Sequence, residues 1–151
     1  MSDCVQENCN VEFLMGEYNH TIDAKGRMNF PTKLKAIFGS SFVVTRGFDG
    51  CLAVYTNKDW IELVEKVKAL PATESRNMQR FVFSNATTVE PDKQGRILIS
   101  PKLRDYAGLE HDVVVIGRAT QAEIWDKQRW EDMNAAMSEE DIIETMTKLG
   151  F

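Results

Sequence analysis

The sequence is poor in the features that mark several common classes of protein. Its 151 residues include only three cysteines, Cys4, Cys9 and Cys51, and two histidines. An odd cysteine count without a histidine cluster indicates neither a disulfide framework nor a metal site. No stretch approaches the roughly 20 consecutive apolar residues of a membrane span, and the first residues lack the basic flank and apolar run of a secretory signal. We therefore expect a cytoplasmic protein without a membrane partner or a bound metal.

Catalytic motifs are lacking as well. The chain has no Gly-x-Ser-x-Gly elbow, no phosphate-binding P-loop and no nucleophile beside a plausible base. Cys51 lies in a strand-like run without a histidine nearby in the sequence. We expect no catalytic residue, no cofactor and no small-molecule substrate, although an enzyme stays an alternative hypothesis because one fold can host many activities.

Positive charge is scarce overall but concentrated in two windows. The formal net charge is −5, which by itself argues against a nucleic-acid partner. Residues 18–46, however, hold five basic residues and one aspartate, and residues 92–104 hold four basic residues and one aspartate. Residues 131–144 hold six acidic residues and no lysine or arginine. Such separation is typical of a protein with one basic working face and an acidic, solvated remainder.

Both basic windows contain the same order of residue types. The stretch "IDAKGRMNFPTKLK" begins at residue 22, and "EPDKQGRILISPKLR" begins at residue 90. An offset of 69 aligns their Asp-x-x-Gly-Arg motifs, and after one inserted residue an offset of 70 pairs Tyr55 with Trp125 and Trp60 with Trp130. The chain therefore consists of two repeats of one unit.

Each repeat predicts the same series of elements. A strand (residues 17–22 and 86–90) leads into the Asp-x-x-Gly-Arg loop, and a second strand (27–30 and 96–99) follows it. A short helix comes next (31–39 and 100–108), with proline near its first position and glycine at its C-terminal cap. Two strands around a turn (42–46 with 51–55, and 113–117 with 122–125) then lead to longer helices from near residues 57 and 126.

These predictions divide the chain into two repeats, residues 16–70 and 85–137. A linking helix is expected at 71–84 and a C-terminal helix with a capping box at 138–151. Residues 1–14 are expected to be a disordered extension, or the result of a misassigned start codon. Four short strands are too few for a well-buried barrel. Two related halves can interlock their strands into one closed structure without exposed edges. The predicted fold is therefore of the α+β class, a pseudo-twofold β-barrel with peripheral helices.

Several stretches resemble one known family. "MGEYNHTIDAKGR", "DKQGRILI" and "YAGLEHDVVVIG" followed by "IWDKQRW" are similar to the MraZ family of bacterial regulators, a two-repeat group in the AbrB-like superfamily. The resemblance runs from about Met15 to the C-terminus. It implies a swapped-hairpin, AbrB-like β-barrel formed by both repeats. It further implies a ring homo-oligomer, associated with the nucleoid, that regulates transcription by binding repeated double-stranded DNA sites in the promoter of the division and cell-wall gene cluster containing its own gene.

The resemblance also implies which residues bind DNA. The functional arginines are Arg27 and Arg96, with Lys25 as a companion in the first loop. Lys93 is the lysine of the second loop, which has Gln94 where the first has Lys25, so the loops are not expected to contribute equally. Four residues are expected to organise the loops: Asp23, Gly26, Asp92 and Gly95. Four more, predicted to face outward from the short helices, are candidates for contacts with the DNA backbone: Lys33, Lys35, Lys102 and Arg104.

Other roles for these residues remain open at this point. Each arginine can instead pair with the aspartate of its own loop to close the turn, which is compatible with binding. The helix lysines can belong to an ordinary solvated face. The tryptophans, Trp60, Trp125 and Trp130, are expected in the core or in a subunit interface rather than as base-stacking platforms. The alternative function is a protein-binding barrel or assembly scaffold, whose basic face meets an acidic partner without sequence-specific DNA binding.

Overall fold

The computed structural model describes residues 13–151 and contains the predicted elements in the predicted order. The strands are β1 (Glu17–Thr21), β2 (Arg27–Asn29), β3 (Phe42–Arg46), β4 (Leu52–Tyr55), β5 (Thr87–Val89), β6 (Arg96–Leu98), β7 (Asp112–Arg118) and β8 (Gln121–Asp126). The helices are α1 (Thr32–Phe38), α2 (Asn57–Lys68), α3 (Ala72–Met78), α4 (Pro101–Ala107), α5 (Lys127–Ala136) and α6 (Glu139–Lys148). The linking helix is predicted as one α-helix, but its second part, Gln79–Phe83, is a π-helical segment.

The two halves of the chain complete each other's main sheet. Six antiparallel strands lie in the order β1-β7-β8-β4-β3-β5, and β2 pairs with β6 in a separate two-stranded ribbon. The first strand of each half therefore pairs with the third strand of the other half. If each strand is exchanged for its counterpart in the other half, the same order results, read from the opposite edge of the sheet. The pairing has the twofold pseudosymmetry that the repeats predict.

The predicted closed barrel is not formed by one continuous sheet. Within residues 13–151, the edge strands β1 and β5 pair with β7 and β3 but not with each other, so the six-stranded sheet is open. Each half supplies only three residues to the β2–β6 ribbon. Those residues pair with each other around the pseudo-twofold axis and do not extend the larger sheet. An isolated bridge between Ile22 and Met28 connects the ribbon with the segment that follows β1. The structure is thus an α+β fold with an open sheet and a ribbon.

The core lies between the ribbon and the large sheet. Met28 and Ile97, the central pair of the ribbon, are each 1% exposed. Beside them, Phe30, Phe38 and Phe42 pack with their ring centroids 4.8 to 5.2 Å apart. Burying each large apolar side chain contributes roughly 1.5–3 kcal/mol. The ribbon is therefore fixed from beneath by apolar contacts from both halves of the chain.

Aromatic packing repeats in both halves, away from the ribbon. The rings of Tyr55 and Trp60 lie 5.6 Å apart at 55°, and those of Trp125 and Trp130 lie 5.5 Å apart at 57°. Trp125 is buried and the other two tryptophans are half-buried. The tryptophans are expected in the core or in a subunit interface, and among them Trp125 lies in the core.

The first described residues and the last helix differ from expectation. Leu14, placed by prediction in a disordered extension, is 2% exposed and exchanges backbone hydrogen bonds of 2.8 and 2.9 Å with Ala119. Residues 1–12 of that extension, with Cys4 and Cys9, lie outside the described residues. Helix α6 begins as predicted, with Ser138 Oγ accepting from the Asp141 amide at 3.2 Å, yet its apolar side chains are exposed. None of the helices in residues 13–151 has the length and apolar character needed to cross a membrane.

Candidate nucleic-acid interface

The first Asp-x-x-Gly-Arg loop is organised by its aspartate. Asp23 Oδ1 accepts hydrogen bonds from the backbone amides of Lys25 and Arg27, both at 2.9 Å. Asp23 Oδ2 accepts from Arg27 Nε at 2.8 Å. The backbone closes around these contacts, since the Gly26 amide donates to the Asp23 carbonyl at 3.0 Å. One carboxylate thus holds the turn and orients the arginine that follows it.

The second loop repeats this geometry. Asp92 Oδ1 accepts from the amides of Gln94 and Arg96 at 2.9 Å, and Asp92 Oδ2 accepts from Arg96 Nε at 3.0 Å. The Gly95 amide donates to the Asp92 carbonyl at 2.9 Å. Gln94 stands where the first loop has Lys25. The contacts are the same because this position contributes only its backbone amide. The predicted organising role of both aspartates is visible in these hydrogen bonds.

The two loops are hydrogen-bonded across the pseudo-twofold axis. The Ile99 amide donates to the Gly26 carbonyl at 2.8 Å, and the Phe30 amide donates to the Gly95 carbonyl at 3.1 Å. Both glycines have positive φ, +90° at Gly26 and +80° at Gly95, a region that L side chains rarely adopt. Each loop is therefore held by the other repeat. These contacts fix the positions of the two arginines relative to each other.

That arrangement places both arginines on the outer face of the ribbon. Arg27 pairs in register with Leu98 and Arg96 with Asn29, while the intervening Met28 and Ile97 point into the core. The side chains of Arg27 and Arg96 are 39% and 32% exposed. Both line a single open cleft of about 560 Å³. The arginines lie in two loops that are far apart in the sequence, and the strand register brings them together.

Each arginine is paired and still has donors to offer. The alternative expectation, a loop-closing pair with aspartate, is confirmed in both loops. These pairs use the Nε atom, and within residues 13–151 no hydrogen bond is recorded from the Nη atoms of Arg27 or Arg96. A guanidinium carries five N–H donors in a planar fork, so fixing Nε orients the two terminal amino groups. The arrangement can present two oriented pairs of donors to a ligand in the cleft.

The hydrogen bonds to the aspartates also fix their charge. The amide of Arg27 is the largest cause that lowers the pKa of the Asp23 carboxyl below its ordinary value, with further lowering by the Arg27 side chain and the Lys25 amide. Partial desolvation opposes this effect. The pKa of Asp92 is lowered in the same way by Arg96 and Gln94. Both carboxylates therefore stay ionised at neutral pH and keep their arginines oriented.

The basic residues around the loops form two groups. Lys33 and Lys102 are exposed as expected, and the loop residues Lys25 and Lys93 are exposed as well. Lys35 and Arg104, which are counterparts in the repeats, are half-buried instead. Arg104 donates from Nε to the Ile99 carbonyl at 3.2 Å and from Nη1 to the Ala24 carbonyl at 3.3 Å. The Lys35 amine lies over Gly95.

The expectation that all four helix residues face outward is therefore wrong for Lys35 and Arg104. Each reaches across the axis to the loop of the other repeat, because the ribbon brings the start of each short helix beside the opposite loop. The sequence signal was the alignment of Lys35 with Arg104 at the offset of 69. Helical spacing alone could not distinguish a side chain that faces solvent from one that covers a neighbouring loop.

Other charged groups distinguish the surroundings of the two loops. Glu110 and His111 line the cleft beside the first loop. They follow Gly108 in the second repeat, where the first repeat has only Ser40 and Ser41 after Gly39, so the inserted residue of the alignment falls here.

Arg46, counted in the first basic window, donates to the carbonyls of Phe81 and Arg80 and thereby holds the linking segment against β3.

The described residues offer little for other chemistry. Within residues 13–151, no three His, Cys, Asp or Glu side chains are grouped closely enough to hold a metal ion. Cys51 is buried, and desolvation raises the pKa of its thiol to about 12, with the charges of Glu123 and Asp49 adding to the rise. At neutral pH this thiol is protonated and is a poor nucleophile.

Comparison with known proteins identifies the family. The MraZ family model, described as MraZ protein and antitoxin-like, matches residues 13–81 and again residues 82–149. The chain belongs to the MraZ family. A protein named transcriptional regulator MraZ from Heliobacterium modesticaldum is 50% identical over 136 residues, which cover 87% of this chain and 95% of the relative. A protein of the same name from Acetivibrio thermocellus is 48% identical over 139 residues, which cover 89% of this chain and 97% of the relative.

The two family matches divide the chain at residues 81 and 82, within the linking segment between α3 and β5. Each match includes one Asp-x-x-Gly-Arg loop and one of the two corresponding aromatic pairs, Tyr55 with Trp60 or Trp125 with Trp130. The doubled motif from which the resemblance was inferred is therefore a doubled MraZ unit, and the expected family membership is confirmed.

Proposed function

We propose that this protein is a sequence-specific, DNA-binding transcriptional regulator. It acts on the division and cell-wall gene cluster through repeated promoter sites, including those of its own operon. The observation that carries the proposal is the presence of Arg27 and Arg96 on one ribbon face, where each has its Nε held by an aspartate and both side chains line a shared cleft. The relatives named transcriptional regulator support the same activity.

The chemistry of the cleft suits a groove of double-stranded DNA. Arginine makes bidentate contacts to the O6 and N7 atoms of guanine or to phosphate, and the planar fork must be oriented for either. The flanking exposed lysines Lys25 and Lys93 supply point charges for phosphates, as do Lys33 and Lys102 on the short helices. In this proposal Lys35 and Arg104 hold the loops in place, and any contact they make with the DNA backbone is secondary. The net negative charge of the chain limits binding to DNA outside the ribbon face.

The proposal includes assembly into a homo-oligomeric ring that acts in the cytoplasm at the nucleoid. One ribbon face contacts few phosphates, so a single protomer binds weakly, whereas a ring engages several promoter repeats at once. The exposed apolar side chains of the C-terminal segment support self-association: Ile142 at 49%, Ile143 at 62%, Met146 at 43%, Leu149 at 69% and Phe151 at 83% exposed. Native mass spectrometry measures the number of protomers directly, and a monomer at micromolar concentration contradicts this part of the proposal.

The test of DNA binding compares upstream DNA with a scrambled duplex at several salt concentrations. Wild-type protein is expected to prefer the upstream DNA, and Arg27→Ala and Arg96→Ala are each expected to lose most of that preference. Loss of one guanine contact costs about 1–3 kcal/mol, or roughly 5- to 150-fold in affinity for each site. Arg27→Lys keeps the charge but not the fork, so it should keep binding at low salt and lose discrimination.

A matched control is available on β7. Arg118 is 50% exposed and its Nε donates to Glu123 at 3.0 Å, the same type of pair as Arg27 with Asp23, but it does not line the cleft. Arg118→Ala is expected to bind like wild type. If wild type does not distinguish the two duplexes, or if the Arg118 and Arg27 variants behave alike, the proposal is wrong. The protein-binding scaffold, which is indifferent to DNA sequence, then becomes the better hypothesis.

A further inference from the structure

The outer face of the β2–β6 ribbon carries two side chains besides the arginines. Met28 and Ile97 point into the core, so alternation along each strand places their neighbours on the opposite face. Asn29 and Leu98 therefore share the outer face with Arg27 and Arg96. In the register of the ribbon Leu98 lies opposite Arg27, and Asn29 lies opposite Arg96. Each arginine thus has a different partner across the ribbon.

The fold itself gives no reason for either residue. Leu98 is a large apolar residue that is 59% exposed on this face. Asn29 is exposed in a strand, where asparagine is unfavourable, and within residues 13–151 its side chain makes no recorded hydrogen bond. Asn29 and Leu98 also occupy equivalent positions of the two repeats. A polar and an apolar residue therefore stand at the same place on the two sides of an otherwise symmetric face.

We propose that the ribbon itself enters the major groove and that Asn29 and Leu98 read base pairs there. This inference rests on the proposed DNA-binding function and assigns new residues to it. The major groove admits a two-stranded β-ribbon and is about 12 Å wide. Three residues per strand span about 10 Å, and the two strands lie roughly 4.8 Å apart, so the ribbon fits the groove with its side chains directed to the base edges.

The two side chains suit different atoms of an A·T pair. An asparagine amide pairs with the N6 and N7 atoms of adenine, whereas an apolar side chain contacts the C5 methyl group of thymine. The arginines alone would present the same pattern after rotation about the pseudo-twofold axis. Asn29 and Leu98 remove this equivalence, so the ribbon recognises an asymmetric site and binds it in one direction.

Selection from a randomised duplex library tests this assignment. Wild-type protein is expected to select a site whose two positions beside the arginine contacts are not related by twofold symmetry. Leu98→Asn puts asparagine at both positions, and Asn29→Leu puts leucine at both. Each change is expected to make those positions palindromic, with a shift of about 5- to 150-fold in preference at one base pair. The exchange of both residues is expected to reverse the order of the two positions.

Matched controls separate base reading from general effects. Asn19→Leu changes an exposed asparagine on β1, and Ile61→Asn changes an exposed apolar residue on α2. Neither is expected to alter the selected sequence. Because none of these substitutions changes the charge, the slope of affinity against salt should stay at the wild-type value, whereas Arg27→Ala should reduce it. Leu98→Thr keeps a methyl group and strand preference, and it should retain the thymine if Leu98→Asn proves unfolded by circular dichroism.

Each outcome is decisive. If wild type selects a site and the variants at both ribbon positions select the same site, the ribbon does not read bases, while the DNA-binding function stands. If wild type selects no sequence, the proposed function fails and this inference fails with it. A symmetric wild-type site also overturns the inference.

Discussion

The two Asp-x-x-Gly-Arg loops have the same backbone and different surroundings. Corresponding hydrogen bonds around Asp23 and Asp92 agree within 0.2 Å. The first loop is nevertheless covered by Arg104, which donates one hydrogen bond to the Ala24 carbonyl of that loop and one to the Ile99 carbonyl beside it, whereas the second is covered by the end of the Lys35 side chain. The first loop also has Glu110 and His111 beside it in the cleft. The repeat thus conserves the contacts that build the loop and varies the side chains around it.

The reason is that different parts of the motif carry different constraints. Aspartate and glycine are required by the turn itself, since the former accepts amide hydrogen bonds and the latter adopts positive φ. Side chains that point away from the turn face either the opposite repeat or the cleft, and those environments are not identical. Introducing the same substitution at equivalent positions of the two loops therefore shows at which positions the loops differ.

The largest difference is expected between the loop glycines. A Cβ at position 26 would lie 2.5 Å from the Ile99 carbonyl oxygen, which is a backbone atom immediately after β6. A Cβ at position 95 would meet the end of the flexible Lys35 side chain, which can move away. Positive φ costs each alanine variant about 1–2 kcal/mol. Gly26→Ala should lose about 3 kcal/mol or more because of the additional clash, and Gly95→Ala about 1.5 kcal/mol.

Urea unfolding at one fixed protomer concentration measures both glycine variants. Gly39→Ala serves as a control with positive φ and no atom within 4 Å of the added methyl group, so it should show the backbone cost alone. Equal losses for Gly26→Ala and Gly95→Ala would mean that the contact with Ile99 relaxes freely.

A smaller difference is expected between the two covering residues. Arg104→Ala removes two hydrogen bonds from a charged donor and should destabilise the fold by about 1 kcal/mol, given the partial exposure of the side chain. Lys35→Ala should stay within about 0.5 kcal/mol of wild type, as should the exposed control Lys33→Ala. Combining Lys35→Ala with Gly95→Ala should cost less than the sum of the single changes, because the methyl group then has room. Additive losses in this double-mutant cycle would show that the Lys35 side chain moves away from the added methyl group without cost.

The smallest effect concerns acid stability, in which the loops should behave alike. The pKa of both Asp23 and Asp92 is lowered from the ordinary value of 3.8 by the same kinds of hydrogen bond. A carboxyl group with a lowered folded-state pKa stabilises the fold above its ordinary pKa, and this contribution is lost as the pH falls through the folded-state value. Stability should therefore decline only below about pH 3.8 on account of these groups.

Carboxyl carbon chemical shifts, followed by NMR from pH 2 to 6, give both pKa values directly. Asp23→Asn should remove one of the two low-pH titrations and leave that of Asp92 in place. The substitution keeps an oxygen acceptor for the two amides but lacks the charge that pairs with Arg27 Nε. A pKa of Asp92 at its ordinary value in wild type would show that the second loop is open in solution.

Local sequence patterns predicted most of the individual elements. Proline and glycine at the ends of "PTKLKAIFG" and "SPKLRDYAG" marked α1 and α4, and the capping box at Ser138 marked the start of α6. These signals act within a few residues of the chain and therefore survive without tertiary information. The π-helical segment at Gln79–Phe83 was missed because its sequence has no distinct local signature.

The presence of two loops, the residues that close each of them and the family resemblance are all evident in the sequence alone. Those properties depend on residue types at fixed short spacings, such as Asp23 with Gly26 and Arg27. Three other features depend on contacts between distant parts of the chain: the open sheet, the covering of the opposite loops by Lys35 and Arg104, and the face that Asn29 and Leu98 share with both arginines. These outcomes follow from the register of β2 against β6, which joins residues some seventy positions apart and is set by burying Met28 and Ile97 together.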